Sequence, residues 1–150
     1  MHAFKYGGCR SLSRGLGARL RESAADLLAA ADVVIPVPLH RSRRRTRGFN
    51  QARELAAWLG VPMVDALRRI RATPSQTDLP AAARHRNVRN AFALRRGHAR
   101  RKLEGLRIVL VDDVSTTGAT IEACARVLRA AGAADVSAVT AARVVSQRPE

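Results

Sequence analysis

The chain has 150 residues, 47% of them hydrophobic, which is enough for one ordinary core and too apolar for a disordered chain. No apolar run has the length of a membrane helix, and Met1 to Arg10 lacks the apolar core of a signal peptide, so a cytoplasmic protein with no membrane partner is expected. A formal net charge of +15 favours anionic partners, small polyanions ahead of nucleic acid, because aromatics make up only 3% and base-stacking platforms are scarce.

Lys5 and Lys102 are the only lysines, so the excess charge is almost all arginine in an alanine-rich chain, a composition that GC-rich coding also produces. Cys9 and Cys124 show no metal-ligand spacing and read as small buried or incidental thiols.

In chain order, residues 1–8 are too short to form a unit. Leu12, Leu16, Leu20, Ala24, Leu27, Leu28 and Ala31 form one helical stripe that Ser11 can cap. Val33 to Val37 reads as a buried strand that Pro36 and Pro38 cut off. Five arginines then fall within residues 41–47, and their mutual repulsion predicts a mobile loop unless an anion orders it. A helix starts near Phe49 to Gln51, with its stripe at Phe49, Ala52, Leu55, Ala56 and Leu59 and a stop at Gly60.

Val61 to Val64 reads as a short strand, and Ala66 to Gln76 as a turn-rich hairpin or loop. Pro80 opens a short helix through about Asn87. Ala91 to Leu94 is the next predicted strand, and Arg95 to Lys102 a basic surface loop. Arg107 to Val111 is a central strand ending on Asp112 and Asp113, which open a loop to Gly118 through the turn Ser115-Thr116-Thr117-Gly118. A helix with its stripe at Ile121, Cys124, Ala125, Leu128 and Ala131 follows, Gly132 caps it, and Asp135 to Ala142 is the last strand. Strands alternating with helices predict an α/β fold with a mostly parallel central sheet flanked by helices. A single domain over residues 1–150 is expected, with 143–150 a frayed tail.

The Val109 to Thr120 string carries the chemistry. Backbone N–H groups at a strand's carboxyl end, backed by a helix N-terminus, suit a phosphate, and Gly118 lets the backbone approach it. Two acids beside an anion site suit a ligand that also has vicinal hydroxyls or a metal ion, as a ribose 5-phosphate does. An ordinary buried strand before an Asp-capped helix would share part of the pattern.

VLVDDVSTTGAT resembles the phosphoribosyl pyrophosphate (PRPP) loop of type I phosphoribosyltransferases. FKYGG, IPVPLH with RRRTRGFNQA, RIRATPSQTDLPAAARHRNVRNAF and LEGLRIVLVDDVSTTGAT, in that order over residues 4–143, resemble the ComF-like branch. The resemblance implies a Rossmann-like phosphoribosyltransferase fold. ComF-like members often carry a cysteine-rich, zinc-binding segment ahead of the KYGG-like block and none precedes it here, so a short homologue or a start placed late is expected.

The resemblance also assigns roles. Asp112 and Asp113 would hold the ribose hydroxyls as catalytic residues, with Mg²⁺ beside them, directly or through water. Ser115, Thr116, Thr117, Gly118, Ala119 and Thr120 would bind the 5-phosphate. Val37, Pro38, Leu39, His40 and Arg47 would line the pyrophosphate side, with Asn50 and Gln51 next to them, although Asn50 suits a turn or a helix cap equally well. Arg71, Gln76 and Arg84, with Lys102 a weaker member, would belong to a cover over the site.

The implied reaction displaces pyrophosphate from carbon 1 of PRPP by an unidentified acceptor, a nucleobase or an amine. In purine-salvage relatives a third acid sits within the phosphate loop. The matching position here is Thr116, which leaves only His40 and His85 as candidate bases. Two other classes stay open: a non-catalytic PRPP or nucleotide sensor, and a ComF-type protein of DNA uptake that contacts single-stranded DNA. A homodimer is a further expectation.

Overall fold

The computed structural model describes residues 11–39, 48–71, 88, 90–97 and 102–143. In chain order the elements are α1 (Ser11–Ser23), α2 (Ala25–Ala29), β1 (Val33–Pro36), α3 (Gln51–Ala56), β2 (Leu67–Arg69), β3 (Phe92–Leu94), β4 (Arg107–Ser115), α4 (Ala119–Ala130) and β5 (Asp135–Arg143).

β4 is the middle of a three-stranded sheet with β1 and β5 on either side, and both pairings are parallel. Val33 lies level with Ile108 and Pro36 with Val111 on one side, Arg107 with Asp135 and Ser115 with Arg143 on the other. Parallel neighbours need crossovers, and α4 supplies the one between β4 and β5.

Side chains alternate between the two faces of a strand, and here both faces are covered. Ile35, Ile108, Leu110 and Val136 pack with Cys124 and Leu128 of α4. Val34, Val109, Val111 and Val139 pack with Leu20 of α1, Leu28 of α2 and Leu55 and Leu59 around α3. That is why β1 and the first half of β4 read as unbroken apolar runs. The result is the expected α/β architecture.

Where β4 starts, Asp32 receives the Arg107 backbone N–H at 2.7 Å and its Nη2 at 3.3 Å. That backbone hydrogen bond, ahead of the side-chain one, holds the Asp32 carboxyl below its ordinary pKa.

Several elements differ from expectation. The single stripe of residues 12–31 forms two helices, because Ala24 adopts φ −117° and ψ 23° and interrupts the ladder. Ser11 is the first helical residue rather than a cap ahead of it. α3 stops at Ala56, and the turns beyond it carry Leu59 into the core before Gly60 at φ +74°.

The predicted strand at Val61 to Val64 reduces to one parallel bridge, Met63 with Val34. Pro62 has no N–H, so its carbonyl accepts from Val34 but the ladder cannot lengthen on that side.

Leu67 to Arg69, which the sequence leaves between hairpin and loop, is strand β2. It pairs antiparallel with β3, Leu67 opposite Leu94 and Arg69 opposite Phe92. The Arg69 guanidinium stands 5.4 Å from the Phe92 ring centroid. Two arginines in three residues hide the alternation. The helix expected after Pro80, most of the loop around Gln76, both chain ends and the arginine run of 41–47 lie outside the described residues.

Candidate functional site

β4 does not end at Val111. It continues through Asp112, Asp113 and Val114 to Ser115, all partly buried, with Asp112 level with Thr140 and Val114 with Ala142. The expectation that the acids lie on a loop is therefore corrected: both are strand residues. The reason is tertiary, since β5 offers a ladder nine residues long and β4 keeps pairing along it. The turn itself is Thr116 to Gly118.

Alternation sets the two carboxylates on opposite faces of the sheet. Asp112 shares the α4 face with Ile108 and Leu110, and its charge reaches Cys124. Burial pushes the Cys124 thiol far above its ordinary range, the Asp112 carboxylate raises it further, and Arg69 opposes both. Asp113 falls on the face of Val109 and Val111. The Asp113 N–H donates to Asp112 Oδ1 at 2.9 Å, which steadies the pair.

Gly118 has φ +77° and ψ −4°, the left-handed conformation that glycine adopts at little cost, and it is the N-cap of α4. It brings no side-chain cap, and Thr117 Oγ1 accepts from the Ala119 N–H only at 3.5 Å. The start of α4, with its partial positive charge, opens onto a niche of about 10 Å³ lined by Asp112, Ser115, Thr116, Gly118 and Thr120 among others. A phosphate would rest on this niche rather than enter it. Beside it, a pocket of about 340 Å³ runs from Thr117 and Gly118 along α4 to Arg129 and Ser137.

The end of β1 arrives at the same edge. The Val37 N–H donates to the Val111 carbonyl at 2.8 Å, and Val37 is buried. Its carbonyl accepts from Asn50 Nδ2 at 3.1 Å, while Asn50 Oδ1 accepts from the Ala52 N–H at 3.1 Å. Asn50 is thus both the cap of α3 and a neighbour of the β1 end, two roles the sequence left as alternatives. With both polar groups of the Val37 backbone engaged and no N–H on Pro38, Leu39 is the member of that group with a backbone donor among the described residues. Gln51 is 1% exposed, and its Nε2 has no hydrogen-bond partner among the described residues.

The structure thus brings Val37, Pro38 and Leu39 to one sheet edge with Asp112 to Thr120. His40, Arg47, Gln76, Arg84 and His85 lie outside the described residues, as do His2 and His98. Arg71 is exposed just beyond β2. Lys102 precedes β4, next to Gly105, whose N–H bonds to Gly132 beyond the far end of α4. That position puts Lys102 toward the opposite edge, away from the niche. Arg69 was missed, and Cys124 was read only as a small thiol; nothing in the sequence joins either to Asp112.

No group of three or more ligand side chains that could hold a metal occurs among the described residues. Two carboxylates on opposite faces do not make a cage. They do fit Mg²⁺, a hard cation commonly held by one or two carboxylates, water and the oxygens of a phosphorylated ligand.

Comparison with known proteins agrees with this geometry. Residues 24–150 match the family described as the Phosphoribosyl transferase domain. The chain is 34% identical over 133 residues to Competence protein F of Haemophilus influenzae, covering 85% of this chain and 57% of that protein. It is 41% identical over 114 residues to the DNA utilization protein YhgH of Salmonella typhi, covering 73% of this chain and 48% of that protein. It spans about half the length of these relatives. In structure it is similar to a glutamine PRPP amidotransferase from B. subtilis, with a TM-score of 0.55 and 28% identity, over 88% of this chain and 26% of that one.

Proposed function

The chain belongs to the phosphoribosyl transferase family, in its ComF-like branch, and from that premise we propose that the carboxyl edge of its sheet binds PRPP and transfers the phosphoribosyl group to an acceptor. The observation that carries this reading is the junction of β4 and α4. Two carboxylates are followed at once by a hydroxyl-bearing turn, a left-handed glycine and a helix start.

In this reading the 5-phosphate rests on the turn of Ser115 to Thr120 and meets backbone N–H groups and hydroxyls. Asp112 and Asp113 accept hydrogen bonds from the ribose hydroxyls and orient carbon 1. Leu39 stands on the pyrophosphate side, the role that the family resemblance also assigns to His40 and Arg47. Mg²⁺, held against Asp112 and Asp113 directly or through water, would neutralise charge on the leaving pyrophosphate. The bond from carbon 1 to the pyrophosphate oxygen breaks and its electron pair leaves with that oxygen. The acceptor, a nucleobase or an amine, forms the new bond and gives up a proton. Thr116 occupies the position where purine-salvage relatives carry an acid and cannot take that proton. Binding is therefore better supported than turnover.

A second reading, handling of single-stranded DNA, is favoured by the names of the relatives and by the net charge of +15.

The test is calorimetric titration with PRPP and Mg²⁺ of the unaltered chain and of the double variant Asp112→Asn/Asp113→Asn. The amides keep the shape of the strand end and remove its charge. Saturable binding that weakens at least about tenfold in the variant is expected. Equal affinity in the two proteins, or none in the unaltered one, overturns the assignment. Oligonucleotide binding without PRPP binding would put the second reading first.

A further inference from the structure

The edge of the sheet opposite the niche holds a larger cavity. It measures about 710 Å³, within the range of small-molecule sites, and is lined by Arg14, Arg21, Glu22, Leu28, Trp58 and Gly60 among others. It lies where β1 starts: α2 leads into Val33, and Gly60 and Val61 lead to Met63, which bridges to Val34. α4 runs between the two edges, and its twelve residues span roughly 18 Å. The cavity is thus separate from the niche at Gly118.

Its wall is an aromatic face with cations around it. Trp58, the only tryptophan of the chain, is 43% exposed, which is unusual for a side chain of that size. One side of the residue is held by α1, where a Cβ on Gly17 would come within 2.5 Å of Trp58 Cβ. The Arg14 guanidinium sits 5.8 Å from the ring centroid. The Arg21 guanidinium lies against Gly60, 3.0 Å from where a Cβ would be. Glu22 is the carboxylate of the rim.

We propose that this cavity is a binding site for the base and phosphate of a nucleotide, distinct from the PRPP site. The base stacks on Trp58, where any purine or pyrimidine face suffices. Arg14 and Arg21 hold the phosphate, and Glu22 accepts from an exocyclic amine such as that of adenine. Arg14 makes a cation–π contact with the ring, and it is long enough to turn from the ring to the phosphate.

The single tryptophan makes the test direct, because its fluorescence reports this cavity alone. AMP is titrated into the protein with PRPP and Mg²⁺ present in excess, beside titrations with adenosine, inorganic phosphate and an oligodeoxyadenylate. Saturable quenching by AMP is expected at concentrations where adenosine and phosphate do little. In Arg14→Gln/Arg21→Gln, whose replaced side chains are exposed, it should require at least about tenfold more AMP. Quenching by the oligomer but not by AMP, with the same dependence on the two arginines, supports the site and assigns it to a nucleic-acid strand. Absence of quenching by both, or quenching that the double variant leaves unchanged, overturns the proposal.

Discussion

Two connections leave the carboxyl edge of the sheet, and they are built differently. After β4 a turn of three residues leads straight into α4, and each feature of it is local: a glycine at φ +77°, a hydroxyl two residues before the N–H it accepts from, a helix start. After β1 the chain is brought back over a longer path and fastened by a side chain, Asn50, that reaches thirteen residues back to the Val37 carbonyl. A compact turn carries its conformation in its own sequence. A long connection needs an anchor, and losing the anchor should disturb it more.

Asn50→Ala should have the larger effect. It removes the cap of α3 and leaves the buried Val37 carbonyl without that donor, a combined cost of about 2–3 kcal/mol. Thermal unfolding reads it, and PRPP titration should show the site weakened with it. A loss no greater than that of an ordinary surface substitution would mean that α3 holds the β1 end by packing alone.

Gly118→Ala should have a smaller effect on stability, about 1 kcal/mol, because the new methyl group meets nothing within 4 Å and only the left-handed conformation is strained. Its effect on PRPP affinity should exceed that of an exposed Gly97→Ala, which shares the positive φ at a remote turn. Equal affinities in those two variants would show that the turn after β4 does not need its observed conformation for binding.

The smallest effect belongs to the opposite edge. Asp32 has its pKa lowered by the Arg107 backbone N–H and then by the Arg107 side chain. Its contribution to stability is whole above the ordinary value of 3.8 and is lost as pH falls through the lower folded value. Asp32→Asn should therefore lower stability at neutral pH and flatten the acid limb below that value. A variant whose acid limb is as steep as the parent's would remove Asp32 from the account of acid unfolding.

The site is legible in the sequence where its features are contiguous. Asp112 to Thr120 is one unbroken string, and its turn and helix follow β4 as the sequence indicates, the turn one residue shorter because Ser115 stays in the strand. Asn50 was legible as a cap because asparagine ahead of a helical stripe has that use. Its bond to Val37 was not, because nothing in RGFNQA names a partner on another strand. The acids were misplaced onto a loop because charge usually ends a buried strand. β5 overrides that tendency by offering partners to Asp112, Val114 and Ser115 of β4. The sequence leaves β2 between hairpin and loop for the same reason in reverse, since Leu67 belongs to a strand only when Leu94 lies opposite.

The sequence by itself determined the α/β class, the buried strands β1 and β4, the β4–turn–α4 unit and the family, because each rests on alternation, periodicity or a motif within a few residues. Tertiary structure alone decided how far β4 runs past its acids, that those acids face opposite sides, that Asn50 holds the end of β1, and that Arg14, Arg21 and Trp58 share a cavity. All of these depend on pairings between residues far apart in the chain, and only the packed sheet and the helices on its two faces bring them together.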